Sequence, residues 1–513
     1  MRLALLAPRQ WVGALVLGMG AVSACSGAGG GSAGTNGILR YGYDFSAQFT
    51  NLDPGKSTGD CDAIAIAPIF DTLVRKDLGG NLLPGLAKSW TIGANTLTLT
   101  LQPGVTFSDD EPFDANAVKL GLEHLKKNTT YSDLAAVTSI DVVGPLTVRL
   151  TMKDSPPIVL LYSMTGREGM IVAPKHIDEA ATNPVGAGPF LFKSLSRGSS
   201  LQLRTNPKYW QKDTYKFDGI NFTQVGVGPP SVTALKSNSV DMVSIQPGSY
   251  DGLKSDGSIG IAVQNTTSYL QFQFRFTPPF DNVLVRQAVA FAINRAQDNK
   301  VVQDGLGEVA NQTFFKSSFG YNAAVANMYS YNPPMARQLL ARSGLKLPIS
   351  IKMVIPGGNI STMEDQAAII QQNLNAVGFR VSIKRILGND IQAGYYLAGE
   401  GNAFAAVRPG EPYPPVQLLL QWGKEQFVAI WSKGERADIT RLALLALRAT
   451  DLKAATRYTL EAEAIVTKQA LDIPIAFAPQ LMAYKKAAVS GTVHGQTGVC
   501  DAPDLTGVTV TKS

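Results

Sequence analysis

The sequence predicts a large mixed α/β protein built from several lobes. Three observations carry this. At 513 residues the chain is longer than one hydrophobic core usually serves. Segments that alternate apolar and polar residues with period two recur along its whole length. Segments with apolar residues at helical spacing lie between them, so strands and helices interleave rather than segregate.

From the N-terminus, Arg2 and Arg9 precede an apolar run, Trp11 to Val22, that closes on Val22-Ser23-Ala24-Cys25. The run is too short for a permanent span, which needs about 20 apolar residues. It has the layout of a secretory leader. A cysteine directly after the small residues makes it the lipobox of a bacterial lipoprotein. Residues 1–24 would leave, and Cys25 would carry a diacylglycerol at the extracytoplasmic face of the cell membrane. The alternative is a plain leader with an incidental cysteine. From Cys25 to Gly37 a Gly/Ser-rich stretch reads as a flexible tether, so the folded part begins near Ile38.

Thr96 to Leu101 alternates strictly and is a half-buried strand ended by Pro103-Gly104; Leu146 to Met152 repeats the pattern after Gly144-Pro145. Between them Asp114 caps a helix with Val118, Leu122 and Leu125 on one face. Val285, Ala288, Val289, Ala292 and Ile293 predict one helix over 283–296. Asn332-Pro333 and Gly344 bracket a short helix. Ser361 to Glu364 fits a capping box, and the helix it opens buries Met363, Ala367, Ile370, Leu374 and Val377 before Gly378 stops it. Phe379, Val381 and Ile383 then alternate as a strand. Residues 437–470 are helical with a division near Thr450-Asp451, and Pro474 to Phe477 returns the chain to a strand.

The formal charge of +6, part of it on the two leader arginines, is spread along the chain and does not argue for nucleic acid. The three histidines, at 124, 176 and 494, lack ligand-spaced Cys or carboxylate neighbours, so no metal or cofactor site is predicted, and His124 reads as a boundary residue on its helix. A nominal G-x-S-x-G at 30–34 falls in the tether, without the strand and helix that make a nucleophile elbow. Gly305-Leu306-Gly307 is a fragment of a dinucleotide pattern, and Asp109-Asp110-Glu111 is a solvated turn. No acid, base and nucleophile assemble, which points away from an enzyme and toward binding. Besides Cys25, the chain has Cys61 and Cys500, either paired or separately buried in an oxidising compartment.

A series of segments in order carries a resemblance. These are Leu83 to Trp90, residues 96–118, Val185-Gly186-Ala187-Gly188-Pro189-Phe190, Asn206 to Trp210, Ala234 to Asp241, Pro278 to Ala288, Asn332 to Gly344 and Ala376 to Phe379. Together they resemble the family 5 extracellular solute-binding proteins of ABC transporters, the group that includes oligopeptide-, dipeptide- and nickel-binding proteins. The resemblance implies a two-lobed periplasmic-binding-protein-like fold with an extra subdomain in the first lobe and a ligand cleft between the lobes. On that pattern, 38–64, 186–272 and 477–513 form the first lobe, 65–185 its subdomain and 273–476 the second lobe. Both chain ends then share one lobe, so Cys61 and Cys500 are expected to pair. Gly186 and Gly188 are expected to supply backbone geometries closed to other residues, and Tyr209-Trp210 an aromatic plug.

The implied function is capture of a small solute, a peptide first, by hinge closure, with delivery to ABC permease subunits by a membrane-anchored monomer. A binding lipoprotein of the same fold, acting in envelope assembly or sensing, is the alternative. The chain departs from the family where an aspartate pairs with a peptide's amino terminus: it has Gly410-Glu411-Pro412-Tyr413-Pro414-Pro415, with Glu411 as the nearby acid. Gln273 stands where asparagine is usual. Arg408, Glu411, Tyr413 and Trp422 are the candidate ligand contacts, Tyr413 and Trp422 as flat apolar surfaces and Arg408 as a partner for a carboxylate or phosphate.

Overall fold

The computed structural model describes residues 37–511 apart from 44–50, 57–62, 78–80, 129–132, 154, 227, 358–360, 388–393, 396–397, 409, 412, 424–431, 450 and 495–502. Cys25, Cys61 and Cys500 all lie outside the described residues. Among the described residues no helix is long and apolar enough to cross a membrane.

Three sheets organise the chain, each over its own apolar cluster. The first has seven strands, in the order Ile259–Gln264, Gln480–Lys485, Met242–Ile245, Ile38–Tyr43, Gly219–Gln224, Ser200–Thr205 and Phe190–Ser196. Ile38–Tyr43 lies at its centre and runs parallel to both neighbours, with Ile38 opposite Gly219. Leu39, Tyr41, Ile220 and Phe222 pack into the core beneath.

A smaller antiparallel sheet orders Ala87–Ile92, Thr96–Leu101, Thr147–Met152 and Val137–Gly144. Leu97, Leu99 and Leu101 point to its buried face, as their alternation requires, and meet Val118, Leu122 and Leu125 of the Ala115–Asn128 helix. Asp114 caps that helix, accepting from Ala117 N–H at 2.9 Å.

The third sheet has six strands, ordered Glu308–Val309, Pro474–Phe477, Tyr269–Phe274, Ala403–Arg408, Ile349–Gly357 and Phe379–Leu387. Ile349–Gly357 and Phe379–Leu387 are parallel, and the Ser361–Asn375 helix makes the crossover a parallel pair needs. Met363, Ala367, Ile370 and Leu374 of that helix are buried against it.

Two expectations change in the structure, those for the 283–296 helix and for Gly186 and Gly188. The 283–296 helix is two: Val283–Ala292 ends at Ile293, and Asn294 caps a second helix, Arg295–Val302, by accepting from Gln297 N–H at 3.1 Å. An asparagine inside an apolar period acts as a cap when its side chain reaches the next turn. Glu364 takes Arg385 in a two-point pair at 2.6 and 2.5 Å, and the Ser361 side chain of the expected capping box lies outside the described residues. Gly186 and Gly188 have no left-handed backbone; a Cβ there would lie 2.4 Å and 2.5 Å from the main chain of Ile69, so close approach is what excludes a side chain. His124 is half-buried, at the boundary as expected, and its Nε2 meets the buried Asp53, 0% exposed, at 2.9 and 3.0 Å, because the 51–56 segment folds over its helix.

The chain passes between the two large sheets twice, through 265–268 and through 478–479. The passes are tied together. Thr266 Oγ1 donates to Ala478 O at 2.8 Å, and Ala478 N–H donates to Ser268 O at 2.9 Å. Two adjacent extended segments joining two sheets are the form a hinge takes.

Candidate polar cleft beside the two crossovers

The Tyr269–Phe274 strand reads Tyr-Leu-Gln-Phe-Gln-Phe, and the pleat sorts it. Leu270, Phe272 and Phe274 enter the core of the third sheet. Tyr269, Gln271 and Gln273 share the opposite face. Arg408, the last residue of Ala403–Arg408, stands directly across from Tyr269 and so points to the same side. The Pro414–Trp422 helix covers this face, with prolines at its start and Gln421 and Trp422 in its last turn.

A narrow cavity of ≈ 20 Å³ lies between them, room for about one water. Gln271, Gln273, Arg408, Gln421, Trp422 and Asp472 are among the residues that line it. Asp472 Oδ2 accepts from Tyr269 Oη at 2.7 Å and from Gln421 Nε2 at 3.3 Å. Gln421 Nε2 also donates to Tyr269 Oη at 3.0 Å. Burial, opposed by Tyr269 and Arg408, pushes the Asp472 carboxyl up, and burial beside Asp472 raises the Tyr269 phenol well above its usual range.

Three buried polar atoms on the cavity wall have no partner among the described residues: Arg408 Nε, Gln421 Oε1 and Trp422 Nε1. Arg408 makes no side-chain hydrogen bond or ion pair with any described residue, although Asp472 acts on it electrostatically. Trp422 is 4% exposed and its ring packs with Leu418, Ile439 and Leu442, so it serves the core while its N–H faces the cavity.

The structure thus brings two of the four sequence-predicted residues, Arg408 and Trp422, to one wall. Glu411 is not on it; its backbone N–H donates to Gln417 Oε1 at 2.6 Å. Tyr413 stands at the contact between the third sheet's helices and the smaller sheet's unit. It stacks on Tyr162, centroids 4.6 Å apart at 17°, and burial raises both phenols. Val159 packs there against Val416 and Leu447. Sequence reasoning missed Gln271, Gln421, Asp472 and Tyr162. The Gln-aromatic alternation over 269–274 was a legible signal for Gln271; nothing local marks Asp472.

Elsewhere, Asp109, Glu111 and His176 bring potential metal-ligand atoms within 4.8 Å of one another. Both His176 nitrogens already face carboxylates, Nε2 to Asp109 at 3.2 Å and Nδ1 to Glu179 at 2.5 Å. Folding, not spacing, gathers this group, and its hydrogen bonds account for it.

Residues 81–427 match the family described as bacterial extracellular solute-binding proteins, family 5 Middle. The glutathione-binding protein GsiB of Salmonella paratyphi A is 25% identical over 480 residues, covering 88% of this chain and 91% of that protein. Among solved structures, the binding protein AgaA from A. tumefacien R10, in complex with agropinic acid, superposes with a TM-score of 0.75. It is 22% identical, over 89% of this chain and 94% of that one. The periplasmic binding protein DppA of Helicobacter pylori, in complex with the peptide STSA, gives a TM-score of 0.77 at 21% identity, over 93% and 98%. These neighbours share the two-lobed fold with this chain.

Proposed function

From its membership of the bacterial extracellular solute-binding proteins, family 5, to which this chain belongs, we propose that it is a lipid-anchored receptor that captures a peptide or related small solute and hands it to an ABC permease. Members of this family are binding proteins of ABC importers, not enzymes. The observation that carries the reading is the pair of hydrogen-bonded crossovers beside a polar cavity with unpartnered buried groups. Crossovers of this kind let two lobes rotate with little change in either core, and a cleft between lobes is a common small-molecule site. The first lobe is then the seven-stranded sheet, with the smaller sheet as its subdomain, and the second lobe the six-stranded sheet. We place their junctions at the crossovers 265–268 and 478–479, where the resemblance implies 272/273 and 476/477.

Arg408, Trp422 and Tyr413 are proposed ligand contacts, with Glu411 at the rim. Anchoring rests on Cys25 after a short apolar leader. One lipidated residue binds a membrane weakly when it carries a single chain, and a diacylglycerol supplies two. Cys25→Ala should release the protein from the membrane or leave it unprocessed. Native mass spectrometry of protein purified from its own envelope tests capture: a small solute lost on denaturation is expected. Protein that emerges without a solute and binds none from a peptide library would overturn the reading.

A further inference from the structure

The cavity wall has a polarity of its own. Of its three unpartnered buried atoms, Arg408 Nε and Trp422 Nε1 are donors that cannot accept, and Gln421 Oε1 is the one acceptor. Gln421 and Trp422 are 3% and 4% exposed, so water from bulk does not substitute freely for a partner. Among the described residues the one carboxylate on the wall, Asp472, directs Oδ2 to Tyr269 and Gln421, and no ion pair joins it to Arg408. The Arg408 side chain is half-buried with Asp472 near it but not paired to it, and its buried Nε–H stays unsatisfied until an acceptor arrives.

We propose that this cavity is the seat for a carboxylate or kindred oxyanion of the solute, held by Arg408 and Trp422, and that it selects against solutes led by an ammonium group. The inference rests on the receptor reading and adds the chemical class of its ligand. A carboxylate offers acceptors only and matches a guanidinium edge and an indole N–H. Gln421 Oε1 remains for an N–H or O–H of the same solute. An ammonium would instead set its charge against Arg408 and leave both donors unpaired. Asp472 does not supply the missing recognition of an amine, since Tyr269 and Gln421 already donate to its Oδ2. Glu411, the acid nearest in sequence, does not line the cavity. The cavity holds about one water as it stands and is lined by the six-stranded sheet and its helices alone, so an oxygen of the ligand's oxyanion reaches Arg408 and Trp422 by replacing that water.

The test is calorimetric titration of the full mature protein with matched pairs of probes: glutathione and tri-alanine as free acids, their C-terminal amides, and tri-alanine with its amino end acetylated. The free acid should bind, the amide should bind at least about 10-fold more weakly, and acetylation, which removes the ammonium, should leave binding equal or tighter. Arg408→Gln should lower affinity for the acid by about 10- to 100-fold and leave the amide almost unchanged, the signature of a direct pair. Trp422→Phe keeps the ring in the core and should cost the acid about 3- to 10-fold. It guards against misreading a folding defect in the arginine variant. Acid and amide binding equally in the wild type, or a loss on acetylation with none on amidation, would overturn the inference and leave the receptor reading intact. If none of the probes binds and a copurified solute carries no oxyanion, the inference also falls. Should no solute be found by either route, both readings fail together.

Discussion

Glu463 shows how much a single buried carboxyl can set. It is 0% exposed; its Oε1 accepts from Thr313 N–H at 3.1 Å and Thr467 Oγ1 at 3.0 Å, while Oε2 has no partner among the described residues. Burial raises this carboxyl from 4.5 to about 8, and Asp298, also 0% exposed, from 3.8 to about 7. For an acid whose folded value is raised, the stabilising contribution is complete below the unfolded value and is lost as pH rises through the folded one. Stability should therefore decline between about pH 4.5 and about pH 8. Glu463→Gln keeps the accepting oxygen and removes the ionisation. It should flatten that decline and raise stability at pH 8 by on the order of 2 kcal/mol. Urea unfolding at several pH values checks this; an unchanged slope in the variant would exclude Glu463 as its source.

At the scale of elements, the proposed hinge rests on the two crossovers and on the segment that packs against them. Gly410 packs on the first crossover, where Thr267 Oγ1 donates to its carbonyl at 2.6 Å. A Cβ at 410 would lie 2.1 Å from Thr267 O, which is backbone and cannot yield alone. Gly410→Ala should cost about 1–3 kcal/mol and weaken ligand binding by displacing the segment that leads from Arg408 to Tyr413. A denaturation midpoint and a ligand affinity both equal to wild type would show that the segment adapts. The helix Leu452–Lys468 offers a milder case: Asp451 accepts from Ala454 N–H at 2.8 Å. Asp451→Ala should lower stability by about 1 kcal/mol, read from the thermal midpoint, with no change in ligand binding.

For the whole molecule, the Tyr162–Tyr413 stack and the Val159, Val416 and Leu447 cluster join the smaller sheet's unit to the third sheet's helices. Such contacts exist only when the two units meet, so under the proposed hinge closure they would favour the closed arrangement. Tyr162→Ala removes an aromatic pair worth about 1 kcal/mol beyond its area. It should increase the radius of gyration of the unliganded protein in small-angle scattering and weaken ligand binding several-fold; an identical scattering curve would mean that the stack does not hold the units together. Pairing of Cys61 with Cys500 is a second expectation at this scale, supported by both ends of the chain contributing strands near one core, with Leu52, Ile64, Val489 and Leu505 in a single cluster. Non-reducing peptide mapping should recover the linked peptides, and two free thiols would refute the bond.

What the sequence determined by itself is what local physics writes locally. Period-two alternation placed Thr96–Leu101, and helical spacing with an Asp114 cap placed Ala115–Asn128, because side-chain direction follows from the backbone repeat alone. The ordered motifs were enough to mark the family, since turns and glycine contacts are specified within a few residues. Arg408 and Trp422 were legible as candidates for the same reason. Tertiary structure alone decided what surrounds them. Gln271, Gln421 and Asp472 come from a strand, a helix end and a turn far apart in the chain, and only the docking of that helix on that sheet face gives them one cavity. His124, half-buried on its helix, became the partner of the buried Asp53 because a remote segment folds over it. A residue's own neighbours fix which way it points, but the partner that meets it there, and so its charge state and role, is chosen by long-range packing.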